Sequence, residues 1–362
     1  MSQEWKERCD MPDWTKSMEQ TFEYYIVDPS TWRDKVKLDN VKKASVVRDS
    51  TVDTLGSASF TMMNTVGECY VREYLVVKQN GLKERIPLGT HLIQTPSSEF
   101  DGKVRSATID AYTPLLELKE NPPPLGYASL AGENITQSAE MIAREHARAP
   151  IVGADSSEKL YTDFVANSDD SWLTYVRDLL TNANYKLELD EMGRILFAPQ
   201  QDIASLQPVM TYSDDNSSLL YPEITTKHDL YGVPNVVEVV YSKTGSYYYA
   251  RVVNDDVNSP TSTVNRGREI IKRVTDLGLP GEPTEAQVKE YAELLLRNLS
   301  SIEYTASYTH GYCGTRVGDC VRLNYERAGL VNIKAKIVSQ TIKCEPGCPV
   351  SERAVYTVKL WR

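Results

Sequence analysis

Residues Tyr70 to Thr95, YVREYLVVKQNGLKERIPLGTHLIQT, leave the backbone few choices. Val71 to Val77 is dense in β-branched and aromatic side chains, and Lys78-Gln79-Asn80-Gly81 leads into a second strand-like run that ends at Ile93. Asn-Gly adopts positive φ at low cost, so the pattern predicts a β-hairpin. Pro87 and Gly89 interrupt the second run. Proline has no N–H to give an inner ladder, which predicts an edge strand bulged near Ile86 to Gly89.

The same grammar returns at Gly318 to Thr341. A strand Val321 to Tyr325, a turn at Arg327-Ala328-Gly329 and a strand Val331 to Val338 are expected. In the last, Val331, Ile333, Ala335 and Ile337 alternate with Asn332, Lys334 and Lys336, the period of a sheet with one wet face. The two stretches align as versions of one β unit, with Val71-Arg72 matching Val321-Arg322 and Gln94-Thr95 matching Gln340-Thr341.

Between and around them the chain changes character at identifiable points. Phe22 to Leu118 reads as short strands separated by turn clusters such as Asp28-Pro29-Ser30 and Asp101-Gly102, the spacing of a barrel or sandwich. Pro122-Pro123-Pro124 joins neither helix nor inner strand, so a linker and domain boundary are expected at 120–126. Helices are then predicted at Ile135 to Ala147 and at Ser171 to Thr181, the second capped by Asp169 or Asp170, followed by a hairpin turning at Asp190-Glu191-Met192-Gly193. From Gln207 the reading is β again, broken by a polar loop, Asp255 to Arg268. A helix follows, opened by the capping box Thr284-Glu285-Ala286-Gln287. Residues 1–20 alternate charge with isolated Trp5, Met11, Trp14 and Met18 and read as an arm.

Composition narrows function. Net charge is −10 with a pI near 5.1, which leaves no general basic face for releasing counterions from a nucleic acid. Twenty-two tyrosines against five phenylalanines predict partly exposed aromatic surface. No segment approaches the roughly 20 apolar residues of a membrane span, and the N-terminus has no signal-peptide core, so the chain is expected in a cytosol or released by lysis.

Several stretches in order resemble the baseplate (tail) hub proteins of bacteriophages. They are Ser57-Ala58-Ser59-Phe60, Tyr70 to Leu75, Ile86 to Thr90 and Asp110-Ala111-Tyr112. Later come Ser171-Trp172 with Leu179-Leu180, Asp190 to Gly193, Val233 to Val237, Asn254 to Ser262 and Gly318-Asp319. The resemblance implies a mainly β fold with an α+β insert: an arm at 1–20, a first tube-like β-barrel domain at 21–119, an α+β module at 127–206, and a second barrel domain at 207–362 with a helix at 284–300. It implies a structural, non-enzymatic virion protein. Such a protein is a homotrimeric hub that joins a hexameric tail tube or distal tail protein to a trimeric central spike, with the tape measure protein a further contact, and lets DNA pass without specific binding. Closing such a ring also removes exposed sheet edges. It would reside in the virion tail, and in the host cytoplasm before assembly. Two rival readings remain open at this stage: a tail-associated cell-wall lysin, and a carbohydrate-binding module for host recognition.

The cysteines are the candidate site. If the hairpin that turns at Ala328-Gly329 stays regular, with Tyr325 opposite Val331, Cys313 falls beside Cys344, with Cys348 a short loop away and Cys320 along the strand. Cys313, Cys320, Cys344 and Cys348 grouped in this way would hold zinc or an iron–sulfur cluster. A disulfide, Cys344 to Cys348 or Cys313 to Cys344, and free buried thiols are the alternatives, since neither spacing is C-x2-C. His91, His146, His228 and His310 share no ligand spacing, and no hydrolase or phosphate-loop motif is present. Acidic pairs such as Asp214-Asp215 and Asp255-Asp256 read as solvated loops.

Overall fold

The computed structural model describes residues 12–63, 66–100, 105–201, 203, 205–215, 219–228, 230–243, 246–275 and 284–359. Residues 1–11 of the expected arm and the Asp101-Gly102 turn lie outside them. The chain packs as two compact units, one of residues 1–224 and 308–354, the other of 225–307 and 355–362.

The first unit opens with seven strands: β1 (Glu19–Val27), β2 (Asp34–Leu38), β3 (Val41–Asp49), β4 (Gly56–Met63), β5 (Cys69–Gln79), β6 (Leu82–Phe100) and β7 (Arg105–Tyr112). β5 and β6 form the predicted hairpin. Gln79 faces Leu82 across Asn80 and Gly81, whose φ angles of 53° and 81° fit a type I′ turn. Glu73 pairs with Gly89 and Tyr74 with Pro87, which leaves Leu88 as the bulge beside the proline. β7 joins β6 only from Leu92 onward. The edge expectation therefore holds for the proline-bearing half alone, where Arg48 Nη2 donates to the Leu88 carbonyl at 2.7 Å.

These strands pair in the order β2-β1-β5-β6-β7-β4-β3. Tyr24 on β1 and Phe60 on β4 are four strands apart in that order, about 19 Å in a flat sheet. Their rings nevertheless meet at 6.2 Å, so the sheet curls over its own core, which Val46, Phe60, Leu75 and Ile109 fill.

The α+β module follows within the same unit. It comprises α1 (Leu116–Glu120), β8 (Ala128–Ser129), α2 (Ile135–His146), β9 (Ile151–Val152), β10 (Phe164–Val165), α3 (Trp172–Thr181), β11 (Tyr185–Leu189) and β12 (Ile195–Pro199). The apolar faces of its two longer helices meet in one core, where Ile142, Trp172, Val176 and Leu180 are buried. The cap of α3 is Ser171, whose side chain accepts the Thr174 N–H, and not the preceding aspartates: Asp170 is turned back onto the Asn167 N–H. β13 (Pro208–Ser213) and β14 (Leu220–His228) return the chain to β structure.

The second unit holds β15 (Val236–Lys243), β16 (Ser246–Val253), α4 (Thr263–Arg266), β17 (Ile271–Val274) and α5 (Glu285–Leu299). β16-β15-β17 is a small sheet, and Val288, Ala292 and Leu296 of α5 pack on its Val237, Val239 and Ala250. The capping box at Thr284 and Gln287 is formed as predicted. The polar loop after β16 is a bonded knot: Asn254 Nδ2 donates to Ser259 Oγ at 2.9 Å, and Asn265 Nδ2 donates to the Val257 and Ser259 carbonyls.

The last strands are β18 (Ser301–Gly311), β19 (Cys320–Tyr325), β20 (Leu330–Lys343) and β21 (Pro349–Lys359); β14, β18 and β21 have residues in both units. β19 and β20 form the second predicted hairpin, turning through a single 3-10 turn and Gly329 at φ 74°. β20 pairs with β3 from Ser339–Asp49 to Lys343–Ser45. Here the structure departs from two separate closed barrels. With β4 on one side of β3 and β20 on the other, no edge is left for β2, and thirteen of the described strands form one open sheet.

Candidate functional site

The Asp190–Gly193 turn is the point where the module grips the curled sheet. Gly193 sits at φ 74°, and a Cβ there would stand 2.7 Å from the Thr90 Cβ, so glycine alone fits. The turn presents two carbonyls. Met192 O accepts Trp32 Nε1 at 2.7 Å and Arg72 Nη2 at 3.0 Å, and Glu191 O accepts Thr90 Oγ1 at 3.4 Å. Arg72 is 1% exposed. Its Nε donates to Thr90 Oγ1 and its Nη1 to Asp34 Oδ1, each at 2.9 Å, so the buried charge is both paired and hydrogen-bonded. Tyr70 to Leu75, Ile86 to Thr90 and Asp190 to Gly193, three separate landmarks of the sequence, thus converge on one clamp.

A second chain of contacts starts from the same turn. Glu191 Oε1 is paired with Arg316 Nε at 2.9 Å and Arg48 Nη1 at 3.4 Å. Arg48 Nη1 donates to Gln340 Oε1 at 3.3 Å, and Gln340 Nε2 donates to Glu352 Oε1 at 2.6 Å. There the chain enters a buried cluster of His310, Glu352, Cys313, Tyr212 and Thr315.

Hydrogen-bond roles fix the charges in that cluster. His310 Nδ1 faces the Gly311 carbonyl at 2.7 Å, which only accepts, so Nδ1 carries a proton. Glu352 Oε1 already accepts Gln340 Nε2 and, at 2.7 Å, Thr315 Oγ1, as an ionised carboxylate does, and it stands 3.1 Å from His310 Nε2. Both ring nitrogens are then donors, and His310 is an imidazolium. Burial opposes that charge, but contacts with Cys313 and Glu352 outweigh it and raise the His310 pKa to about 10. Burial likewise opposes the Glu352 charge, and the bonds from His310, Gln340 and Thr315 hold its pKa below the ordinary value. Tyr212 Oη lies 3.3 Å from Cys313 Sγ and 3.1 Å from His310 Nε2.

Cys313, His310 and Glu352 have the residue types of a nucleophile, base and orienting acid, at 3.6 Å and 3.1 Å. Burial opposes ionisation of Cys313, but the contact with His310 outweighs it and holds the thiol pKa below its ordinary value. All three side chains are buried, so the pair faces protein rather than an open cleft. The cluster acts as a polar lock between β13, β18, β20 and β21.

The four candidate cysteines fall in separate surroundings. β19 begins at Cys320, so Cys313 lies off the ladder, and Tyr325 pairs with Leu330 where Val331 was expected. Register therefore does not carry Cys313 to Cys344. Cys320 is buried on β19, while Cys344 and Cys348 share the core of the curled sheet with Tyr24. Among the described residues no group of three or more His, Cys, Asp or Glu side chains is arranged to hold a metal ion. The five described cysteines are free thiols. Tyrosines also divide: Tyr161 is exposed as composition predicted, whereas Tyr70, Tyr175 and Tyr212 are buried.

His310 and Glu352 carry no mark in the sequence, because the histidine spacing matches no metal-ligand pattern. The usable signal was strand alternation, which puts Tyr308, His310 and Glu352 on inward positions of two neighbouring strands.

The first unit also carries a cleft of about 410 Å3, lined by Trp14, Met18, Leu219, Tyr312, Pro346 and Gly347 among others. Trp14 and Tyr312 meet edge to face at 5.1 Å.

No protein-family model and no curated protein sequence matches the chain. Solved structures do. A tail protein from Neisseria meningitidis MC58 superposes with a TM-score of 0.60 at 12% identity, covering 93% of this chain and 96% of that one. The 43 kDa tail protein of prophage MuSo2 from Shewanella oneidensis gives 0.62 at 10% identity, covering 94% and 99%. A chain of a Francisella PdpA-VgrG complex gives 0.57 at 9% identity, covering 94% of this chain and 58% of that one. The fold is the one these phage tail proteins have.

Proposed function

We propose that this chain, which carries the phage tail protein fold over nearly its whole length, is a structural and non-enzymatic protein of a virion tail. In this reading it is a homotrimeric hub that joins the tail tube to a central spike and encloses part of the DNA path. The observation that carries the reading is the mutual coverage: two tail proteins match it end to end, at 96% and 99% of their own lengths. The likeness to a chain from a PdpA-VgrG complex supports a place beside a spike-type partner.

The physics of the first unit suits such a role. A protein that transmits load between a tube and a spike needs its parts tied by bonds that do not slip. The Arg72 clamp and the Glu191–Arg48–Gln340–Glu352 chain tie the module, the curled sheet and the C-terminal strands together. The net charge of −10 keeps a passing polyanion from sticking. Native mass spectrometry of the purified chain tests the reading: a trimer is expected. A monomer that stays monomeric in the presence of its tube and spike proteins would overturn the hub.

A further inference from the structure

β20 and β21 are neighbours in the sheet, and the chain between them is the short loop Cys344-Glu345-Pro346-Gly347-Cys348. The Cys348 N–H donates to the Glu345 carbonyl at 2.8 Å and closes the turn Glu345 to Cys348, with Cys344 the residue just before it. The Cα atoms at the two ends of such a turn lie under about 7 Å apart, and a disulfide spans roughly 4.4–6.8 Å. The backbone on both sides is fixed: the Cys344 N–H donates to the Ala44 carbonyl at 2.9 Å, and the Cys348 carbonyl accepts the Tyr312 N–H at 3.1 Å. Both side chains are buried in the same apolar cluster, at 9% and 0% exposure. Cys348 also holds φ at 40°, in the left-handed region that L-residues avoid.

From this placement we infer that Cys344 and Cys348 are a redox clip: a disulfide closes across the hairpin loop when the protein meets a small disulfide oxidant. Its consequence falls on the cleft. Pro346 and Gly347, the residues inside the clipped loop, form one wall of it beside Gly311 and Tyr312, so closing the clip fixes that wall.

The step is a double thiol–disulfide exchange. The Cys344 sulfur attacks one sulfur of the oxidant, whose S–S bond breaks and releases one thiol. Cys348 then attacks the mixed disulfide, the Cys344–Cys348 bond forms, and a second thiol leaves. Two protein sulfurs are each oxidised by one electron, the oxidant is reduced to two thiols, and both protein protons end on those thiols. Burial raises both thiol pKa values, that of Cys348 to about 12, so closure is slow and quickens as pH rises.

The full chain kept in reductant is compared with the same chain incubated with oxidised glutathione in mildly alkaline buffer. Trypsin cuts after Lys343 and Arg353, so residues 344–353 form one peptide that holds both cysteines. The inference predicts a loss of two hydrogens from that peptide, reversed by reductant, with slower amide exchange at Gly347 and Tyr312. Cys344→Ser should abolish the loss. Should that variant fail to fold, the wild-type peptide alone decides the question. A bond to Cys313 or Cys320, a persistent mixed disulfide, or unchanged thiols after long incubation would overturn it.

Discussion

At the residue scale, the His310–Glu352 pair makes the sharpest demand on solution behaviour. His310 titrates at about 10 when folded, against an ordinary 6.5, so its stabilising contribution is full below about pH 6.5 and is lost as pH rises through 10. Glu352 is shifted the other way, below its ordinary 4.5, and its contribution is present above that value and lost as pH falls. His310→Gln is expected to cost about 3–5 kcal/mol near pH 6.5, because an unpaired carboxylate stays behind in the core. The gap in melting temperature from wild type should narrow as pH rises from 6.5 to 10; parallel curves would refute the pair. Gly193 offers a second test. Gly193→Ala meets Thr90 and a forbidden φ together, and about 2–3 kcal/mol is expected from chemical denaturation, against about 1 kcal/mol for Gly132→Ala, which has positive φ but open space. Equal costs would show that the close approach to Thr90 carries nothing. Neither site was legible as a site beforehand. Glycine in a turn is visible in sequence, but the side chain waiting 90 residues or more away is a property of packing.

The elements show where local signals suffice and where they fail. The Asn80-Gly81 hairpin, the bulge at Leu88, the two longer helices of the module and the Thr284 capping box follow from neighbours within a few residues, and each formed as read. The α3 cap moved to Ser171 and the β19–β20 register slipped by one, because the competing partner in each case is chosen by geometry within one turn. Sheet order was not legible at all. That β20 would take the free edge of β3, and so leave the first sheet open, depends on residues nearly 300 apart in sequence. Two outcomes are expected at this scale. Thr284→Ala should cost about 1 kcal/mol and speed amide exchange in α5 and β15. Arg72→Met, which removes the clamp while keeping apolar volume, should loosen exchange at Glu191 to Arg194 more than at the far end of β5. Unchanged exchange in the Asp190–Gly193 turn would mean that its carbonyls are held without Arg72.

For the whole molecule, the resemblance read from ordered motifs and the fold agree in kind: a mainly β chain with a small helical module, shared end to end with phage tail proteins at 10–12% identity. The hub reading adds number and place to the shared fold. Cryo-electron microscopy of the tailed particles that carry this chain is its most direct test. Three copies arranged about the tail axis between tube and spike are what the account predicts. Particles complete at their tip without this chain, or with it seated elsewhere on the virion, would contradict it.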